Sequence, residues 1–470
     1  MASIFETKRV NVYPKTIQPS KIIKLTNLDR QCPTLMYLVF FYKLSYNHKL
    51  VNDNYVFNSL KLSLEETLSE WYPAAGRLWK NPNNGNKLDL WCNNGGALMV
   101  QAFTHAKFSE FGNLSQYNHF FENLVYKPIY NNGDNHNNIS EMPILVAQVT
   151  KFGCGGYSIG IGTSHALFDG QATFNFVSTW ASKTHFNKHQ GIIINGLECP
   201  KPIHDRQILL NITNNQTPIK NNALSKVAAI QHLYQLIIQT GPYDHMVKNP
   251  QLFVPSIEED CVLSTFHFSA AMIESLKRRV HGVQSYSASV CTSFEIVTAH
   301  LWKARTKALR LRKERMVCLQ FAIDTRTRLT PQLSQAFSGN AFVLASVALT
   351  AGELELASYE TIVSKIKMAK NCVDNEYVRT YIKALEGSGD ALPPLRELTI
   401  VSDWTRMPFH KVNFMYPYVN GAVSVCPLTP PVPQVAYFMQ SLDHDKGIDV
   451  RIGLNPQFLT DFSHYFLAIS

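Results

Sequence analysis

The sequence has no pair of cysteines separated by two residues and no Cys/His group with the spacing of a zinc site. An odd, scattered set of thiols is typical of buried cysteines in a reducing compartment. We therefore expect neither a metal centre nor a disulfide framework. The scattered cysteines are Cys32, Cys92, Cys154, Cys199, Cys261, Cys291, Cys318, Cys372 and Cys426.

Targeting signals are also scarce. The N-terminal MASIFETKRVNVYPK contains no apolar run of signal-peptide length, and no later segment is apolar over the length of a membrane span. The C-terminal FLAIS is not a peroxisomal or endoplasmic-reticulum address. We expect a cytoplasmic protein.

Three common catalytic signatures are missing or lie in the wrong context. The GxSxG match GYSIG, Gly156–Gly160, lies inside a strand pattern rather than at the strand-to-helix turn of a nucleophile elbow, and there is no HExxH zinc motif. The glycines of FGCGGYSIGIG lie inside a strand pattern rather than in a strand-to-helix turn, and no acidic residue follows at the spacing that a dinucleotide site requires. A dinucleotide-binding enzyme is therefore disfavoured.

Charged residues make up only 17% of the chain, against 45% hydrophobic residues. This balance can fill a large core and is unlike that of a disordered chain. At 470 residues the chain is about three times a typical domain, which predicts two domains or one large duplicated architecture. The net charge of +9, from 44 Lys+Arg and 35 Asp+Glu, suits an anionic ligand better than nucleic acid.

Strand and helix patterns alternate in both halves of the chain. Thr34–Leu44 is typical of a buried strand, and the following NSLKLSLEETLSEWYP of a helix that ends at Pro73. The segment from Cys199 to Pro255 is rich in Pro and Asn and contains one helical patch, SKVAAIQHLYQLIIQ. The sequence predicts an α/β protein with an N-terminal domain, a crossover and a C-terminal domain. Their bounds are 1–198, 199–255 and 256–470.

The stretch SHALFDG, Ser164–Gly170, follows a strand pattern that stops at Thr163. A histidine there, His165, can act as a general base if one ring nitrogen is held and the other carries the lone pair. Asp169 could hydrogen-bond locally, and Gly170 permits a tight turn. Taken alone, the motif fits a plain turn with a satisfied histidine better than a catalytic site, because short motifs often match by chance.

A basic stretch, KARTKALRLRKER, covers Lys303–Arg315 and carries seven Lys or Arg residues with one Glu. The usual explanation of such a run is a solvated helix face. The alternative is a site for the phosphates of an anionic cofactor, since Arg and Lys pair well with phosphate oxygens. Both explanations stay open at this point.

Six ordered blocks resemble the plant BAHD acyltransferases, which move an acyl group from coenzyme A to an alcohol or an amine. The blocks span nearly the whole chain: LTNLDRQCP, LSEWYPAAGRL, FGCGGYSIGIGTSHALFDG, TSFEIVTAHLWKARTKA, FAIDTRTRL and FSGNAF. Six matches in order are far more specific than one HxxxD. The resemblance therefore favours a catalytic histidine over the plain turn.

The resemblance implies two chloramphenicol-acetyltransferase-like domains, each a mixed sheet flanked by helices, joined by a long crossover. It implies that His165 removes the acceptor proton, so that the freed oxygen or nitrogen attacks the thioester carbonyl. Asp169 would be structural and would hold the loop against an arginine. Ser402, two residues before Trp404, would donate to the oxyanion, a contact whose loss typically costs ~2.7–4 kcal/mol.

Four further residues fall in the block that lines the coenzyme A channel of the family: Ser293, Phe294, Lys303 and Arg305. The resemblance implies that they contact acyl-CoA, the co-substrate, while plain packing or surface charge is the alternative for each. It implies no permanently bound cofactor. The protein is expected to be a monomer.

The chain departs from the family at its second signature, DFGWG. Asn413 stands for the Asp, Phe414 is retained, and Met415–Pro417 replace Gly-Trp-Gly. In the family that Asp is thought to pair with an arginine of the DxRxR block, here Arg326 or Arg328. Asn cannot supply the charge, so at most a neutral hydrogen bond is expected.

Two other functions remain open. One is a non-catalytic accessory member of the family, and the other is different chemistry on the same scaffold, such as an elimination or a cyclisation, with His165 as base. Nonribosomal condensation domains share the fold but typically carry two adjacent histidines, whereas Ser164 precedes His165 here. The sequence does not specify the acyl donor or the acceptor.

Overall fold

The chain forms two compact units, each assembled from three segments. The first consists of Met1–Leu210, Ser334–Ala341 and Met407–Pro431, and the second of Asn211–Leu333, Phe342–Arg406 and Val432–Ser470. The computed structural model describes residues 3–31, 35–43, 53–128, 139–184, 200–214, 261–281, 291–385, 396–415, 419, 423–428, 435–442 and 447–468. The helical patch predicted from SKVAAIQHLYQLIIQ lies outside these residues.

Strands and helices alternate along both halves, as the sequence predicts. The strands are β1 (Ile4–Val12), β2 (Lys21–Ile23), β3 (Leu35–Tyr42), β4 (Arg77–Asn81), β5 (Lys87–Cys92), β6 (Ala97–Thr104), β7 (Leu145–Phe152), β8 (Tyr157–Ser164), β9 (Val262–Phe268), β10 (Met316–Asp324), β11 (Phe342–Thr350), β12 (Leu398–Asp403), β13 (Ser424–Pro427), β14 (Val435–Gln440) and β15 (Ile448–Leu454). The helices are α1 (Asn27–Arg30), α2 (Asp53–Glu70), α3 (Gly170–Ser182), α4 (Gln207–Asn214), α5 (Ala270–His281), α6 (Ser293–Ala308), α7 (Ala351–Leu356), α8 (Tyr359–Asn371), α9 (Asn375–Ala384) and α10 (Pro456–Leu467).

The first unit is built on a six-stranded mixed sheet in the order β1-β6-β7-β8-β3-β13. β6 and β7 run parallel, and the other neighbours are antiparallel. Every residue of β8 is buried, including Ser158, Thr163 and Ser164. Its glycines serve close packing, because a Cβ on Gly160 would lie 2.1 Å from the carbonyl oxygen of Leu124. A smaller sheet, β2-β5-β4, belongs to the same unit.

The edge strand β13 comes from late in the chain and pairs antiparallel with β3, so that Ser424 faces Phe41 and Pro427 faces Leu38. The first unit therefore contains a segment that a contiguous division at 198 and 256 would assign to the C-terminal domain. The difference has a physical reason. A strand of four residues gains its backbone hydrogen bonds only by joining an existing sheet edge, and that pairing is invisible to local sequence patterns.

The second unit contains another six-stranded mixed sheet, in the order β11-β10-β12-β14-β15-β9. β10, β12 and β14 are parallel neighbours, whereas β11, β15 and β9 add antiparallel edges. The long helix α6 packs against α5, α8 and α10 and buries Trp302 completely. The predicted class, α/β with mixed sheets flanked by helices, is confirmed. No helix in the described ranges combines the length and the apolar character needed to cross a membrane.

The return of the chain to the first unit is anchored by one aromatic side chain, Phe414. It has no exposed surface, and its ring lies 4.8 Å from that of Trp180 and 6.1 Å from that of Phe40, centroid to centroid. The Tyr42 hydroxyl donates to the carbonyl oxygen of Val412 over 3.0 Å. Phe414, the retained residue of the divergent signature, is therefore a core residue of this unit.

We predict that Phe414→Ala lowers the free energy of unfolding by about 3–5 kcal/mol, because the substitution leaves a cavity that the surrounding aromatic rings fill only in part. Leu356→Ala is the control, since Leu356 is 86% exposed and its truncation should change stability by less than about 0.5 kcal/mol. Denaturant unfolding followed by fluorescence measures both. Equal effects of the two substitutions would contradict the anchoring role of Phe414.

Candidate active site

His165 lies in the short turn between β8 and α3, directly after the strand end, as the sequence predicts. The amides of Leu167 and Phe168 both donate to the carbonyl oxygen of Ser164 over 3.0 Å, which closes the turn. Leu167 and Phe168 are each only 1% exposed, and the Phe168 ring stacks on Trp71 at 5.8 Å. The apolar residues thus anchor the turn while His165 stays half-buried.

Both carboxylate oxygens of Asp169 accept hydrogen bonds from backbone amides. Oδ1 accepts from the amide of Ala172 over 2.9 Å and so caps the N-terminus of α3. Oδ2 accepts from the amide of Ala341 over 3.0 Å. Asp169 therefore links the histidine turn to the 334–341 segment and stabilises the turn.

The Nδ1 atom of His165 meets the side-chain oxygen of Asn340 at 3.1 Å. The Asn340 amide nitrogen donates to the His165 carbonyl oxygen over 2.7 Å and to Oδ1 of Asp29 over 3.1 Å. Because both partners of that nitrogen are acceptors, the amide has one consistent orientation, with its oxygen toward the imidazole. An amide oxygen only accepts, so Nδ1 carries the proton and the lone pair lies on Nε2.

Asp29 holds Asn340 in place. This carboxylate is fully buried, and its Oδ1 also accepts from the Asn340 backbone amide over 3.0 Å. Its Oδ2 accepts from the amide and hydroxyl of Thr26 and from Nε of Arg206, at 3.0, 2.9 and 3.1 Å. A buried carboxylate with this many donors is compensated, and removal of one charge from such a pair typically costs ~3–5 kcal/mol.

The roles of Asn340, Asp29 and Arg206 are not predicted from the sequence. A signal existed for Asp29, because Thr26-x-x-Asp29 has the spacing of a capping box and the structure forms one. Asn340 stands in the FSGNAF block, but nothing local indicates its partner, which is 175 residues away. Arg206 follows a Pro-containing stretch without periodicity, and no signal pointed to it.

A second histidine of this unit, His204, provides a contrast. Its Nδ1 meets the Ser338 hydroxyl at 2.7 Å, and its Nε2 donates to the Glu70 carbonyl oxygen over 2.8 Å. Burial lowers the pKa of His204 to about 4, so the ring is neutral and both nitrogens are used structurally. His204 therefore ties the 334–341 segment to the end of α2.

In the second unit, Ser402 lies near the end of β12. Its oxygen accepts from the indole nitrogen of Trp404 over 3.0 Å. The serine oxygen is the acceptor in this bond, so the serine does not use its own proton there. That proton can be donated to an oxyanion.

Ser293 and Phe294 begin α6 and are half-buried. Thr292 caps the helix by accepting from the Glu295 amide over 3.2 Å, and the Glu295 carboxylate accepts from the Thr292 amide over 3.0 Å. The Phe294 ring packs 5.7 Å from Phe321, centroid to centroid. This first turn is thus rigidly held, and the role of Ser293 and Phe294 toward acyl-CoA stays a prediction.

Lys303 and Arg305 occupy different surroundings although they are close in sequence. Lys303 donates to the carbonyl oxygens of Glu355 and Ala357 over 3.1 and 2.6 Å and is partly exposed. Arg305 is 4% exposed, and its Nη1 donates to the Arg396 carbonyl oxygen over 3.0 Å. Burial lowers the pKa of Arg305 to about 10. The predicted contact of Arg305 with acyl-CoA is therefore disfavoured by its burial.

Asn413, at the divergent signature, is buried and uses both ends of its amide within its own loop. Its nitrogen donates to the Val419 carbonyl oxygen over 2.6 Å, and its oxygen accepts from the Met415 amide over 2.9 Å. An Asp carboxylate could accept from the Met415 amide but could not donate to the Val419 carbonyl oxygen, so Asn suits this loop better than Asp. The predicted neutral bond with Arg326 or Arg328 stays a prediction.

Known proteins are similar to this chain over nearly its whole length. The model of the family described as Transferase family matches residues 2–468. Brassinosteroid-related acyltransferase 1 of Arabidopsis thaliana is 51% identical over 98% of this chain and 97% of its own length. Omega-hydroxypalmitate O-feruloyl transferase of the same plant is 28% identical over 97% and 91%.

Solved structures show the same fold. Vinorine synthase superposes with a TM-score of 0.70 at 19% identity, over 99% of this chain and 98% of that one. F. graminearum TRI101 complexed with coenzyme A and T-2 mycotoxin gives a TM-score of 0.70 at 14% identity, over 94% and 96%.

We predict that Asp169→Ala destabilises the protein more than Asp374→Ala, a matched helix cap. Asp374 accepts from the Tyr377 amide at the start of α9, so its loss should cost about 0.5–2 kcal/mol. Asp169→Ala loses a cap and also the bond from the buried amide of Ala341, which should add about 1–3 kcal/mol. Denaturant unfolding measures the difference, and equal losses would refute the bracing role of the second oxygen.

Proposed function

The chain belongs to the Transferase family, the BAHD acyl-CoA-dependent acyltransferases, and from that premise we propose that His165 is its general base. The observation that carries the proposal is the bond between Nδ1 of His165 and the Asn340 amide oxygen. It holds the ring and directs the lone pair to Nε2. A base of this kind must be oriented before it can accept a proton from a substrate hydroxyl.

The reaction follows from this tautomer. Nε2 takes the proton of the acceptor hydroxyl as its oxygen forms a bond to the thioester carbonyl carbon. The resulting tetrahedral oxyanion collapses with cleavage of the carbon–sulfur bond, and the coenzyme A thiolate leaves and takes up the proton from Nε2. The imidazolium that exists between these steps donates through Nδ1 to Asn340. No covalent enzyme intermediate is needed.

We assign Ser402 as the donor to the oxyanion. Support comes from its bond with Trp404, which directs the serine proton away from the indole. A preoriented hydroxyl contributes to the transition state because its dipole needs no rearrangement during reaction. Ser293, Phe294 and Lys303 are retained as proposed contacts for acyl-CoA, whereas the burial of Arg305 suits a structural role.

The proposed acceptor is a hydroxylated steroid of the brassinosteroid class, which makes the reaction an O-acylation. This proposal rests on the relative that is 51% identical and is named a brassinosteroid-related acyltransferase. The expected cytoplasmic location and monomeric state stay predictions.

We predict that His165→Ala lowers the rate of thiol release from acyl-CoA by ~10²–10⁴-fold in the presence of a brassinosteroid acceptor, as expected for loss of a general base. The assay uses a panel of acyl-CoA donors. His105→Ala is the control, because His105 lies outside the site and packs on Phe5 and Phe103 at the sheet edge. Full activity of His165→Ala would eliminate the assigned base.

The same assay separates the competing functions. An accessory protein would release no thiol with any donor in the wild type. An elimination or cyclisation on this scaffold would consume the substrate without thiol release and would still depend on His165.

We also predict that Asn340→Ala lowers kcat about 10²-fold with little change in the KM for acyl-CoA, because a misaligned base affects the chemical step rather than donor binding. Asn413→Ala is the matched control, a buried asparagine of the same unit whose amide bonds Val419 and Met415 in its own loop. Its kcat per folded molecule should be close to wild type. Equal losses of kcat in both variants would indicate a merely structural role for Asn340.

A further inference from the structure

The second unit contains a cavity of about 490 Å³ at the C-terminal end of α6. Its walls come from α6, the loop that follows it, α7 and the end of α10. The basic stretch Lys303–Arg315, whose sequence fits either a solvated helix face or a phosphate site, supplies much of this lining. Within this stretch, Lys303, Lys307, Arg310 and Lys313 line the cavity, whereas Arg305, Arg312 and Arg315 are not among its lining residues.

Four cations line the cavity against a single carboxylate: Lys303, Lys307, Arg310 and Lys313 against Glu355. Glu355 lies 3.9 Å from the Lys313 ammonium, and both side chains are well exposed, so this pair is weak. The Lys303 ammonium group donates two hydrogen bonds to backbone carbonyl oxygens. Lys307 lies 4.3 Å above the Tyr465 ring. The lining keeps an excess of positive charge with an aromatic wall beside it.

Arg310 provides an independent observation. Its φ of +50° is in the left-handed region, at the position just past α6 where glycine is usual. A residue with a Cβ carries backbone strain there, and this strain persists only where the surroundings compensate for it. Here Nη2 and Nε of Arg310 pair with Asp461 of α10 over 2.6 and 3.0 Å. The strained backbone thus places a guanidinium at the cavity wall.

The walls are also fixed. The amides of Ala351 and Gly352 donate to the carbonyl oxygens of Arg315 and Lys313 over 2.7 and 2.9 Å, which holds the loop after α6 against α7. His300 donates through Nε2 to the Phe466 carbonyl oxygen over 2.8 Å and meets the Tyr359 hydroxyl through Nδ1. The cavity is therefore preformed, which reduces the entropy cost of binding.

Basic residues near a helix C-terminus offset the helix dipole, and Lys307 and Arg310 do this for α6. That role does not require a cavity, a strained arginine or the further lysines at 303 and 313. We propose that this cavity is an anion site that binds a phosphate group, either free or carried by a small phosphorylated molecule. Lysine ammonium groups suit phosphate as point charges, and Arg310 can add directed N–H bonds.

The test is calorimetric titration of the full chain with inorganic phosphate and with adenosine 3′,5′-bisphosphate. The variant is Lys307→Glu combined with Lys313→Glu, since both lysines are exposed and their replacement should not disturb the core. Removal and reversal of these charges should weaken phosphate binding at least about tenfold. Lys87→Glu is the control, an exposed lysine of β5 in the first unit with the same charge change, and it should bind as the wild type does.

Arg310→Gly sharpens the test. Glycine relieves the left-handed strain, so this variant should unfold at the same or a higher temperature and yet bind phosphate more weakly. A parallel loss of stability and binding would indicate that Arg310 serves only the fold. No phosphate binding in the wild type, or equal binding by the wild type and the double lysine variant, would overturn the proposal.

A kinetic comparison identifies the source of the phosphate. If the double lysine variant raises the KM for acyl-CoA but not for acyl-pantetheine, the site holds the nucleotide end of the donor. If both KM values are unchanged while direct phosphate binding is lost, the site holds a separate phosphorylated molecule. Direct binding does not depend on turnover, so its result stands even if the proposed role of His165 fails.

Discussion

The candidate site depends on one buried carboxylate, that of Asp29. Its Oδ1 accepts from both the backbone and the side-chain amide of Asn340, and this fixes which end of the amide faces His165. An amide free to flip would present either an acceptor or a donor to the imidazole. The Asp29 bond removes that choice, and Arg206 compensates the buried charge. Asp29 therefore determines the tautomer of His165 indirectly, through its hydrogen bonds to Asn340.

The aspartate within the HxxxD motif does different work. Asp169 bonds two backbone amides, so it shapes the turn and leaves the orientation of the ring to Asn340. A neutral amide stabilises an imidazolium less than a carboxylate would. The Asn340 amide holds the His165 ring in one orientation. Ser402 follows a similar logic, because the Trp404 indole directs its hydroxyl without adding charge.

Local sequence patterns predict a good part of this protein. The apolar run that stops at Thr163 correctly places His165 just after a strand, and the helix pattern from Gly170 is α3. The pairing of β13 with β3 and the approach of Asn340 to His165 could not be predicted from those patterns. Both join segments far apart in the chain, and their partners are chosen by tertiary packing. The burial of Arg305 illustrates the same limit, because its neighbour Lys303 lies two residues away yet reaches a cavity.

In the proposed mechanism, neutral His165 carries its proton on Nδ1 and its lone pair on Nε2. Nitrogen-15 NMR of protein labelled at histidine tests it most directly, with the His165 signals assigned by their loss in His165→Ala. We expect a protonated, pyrrole-type signal for Nδ1 and an unprotonated, pyridine-type signal for Nε2. A proton on Nε2, or rapid averaging of the two tautomers, would contradict it.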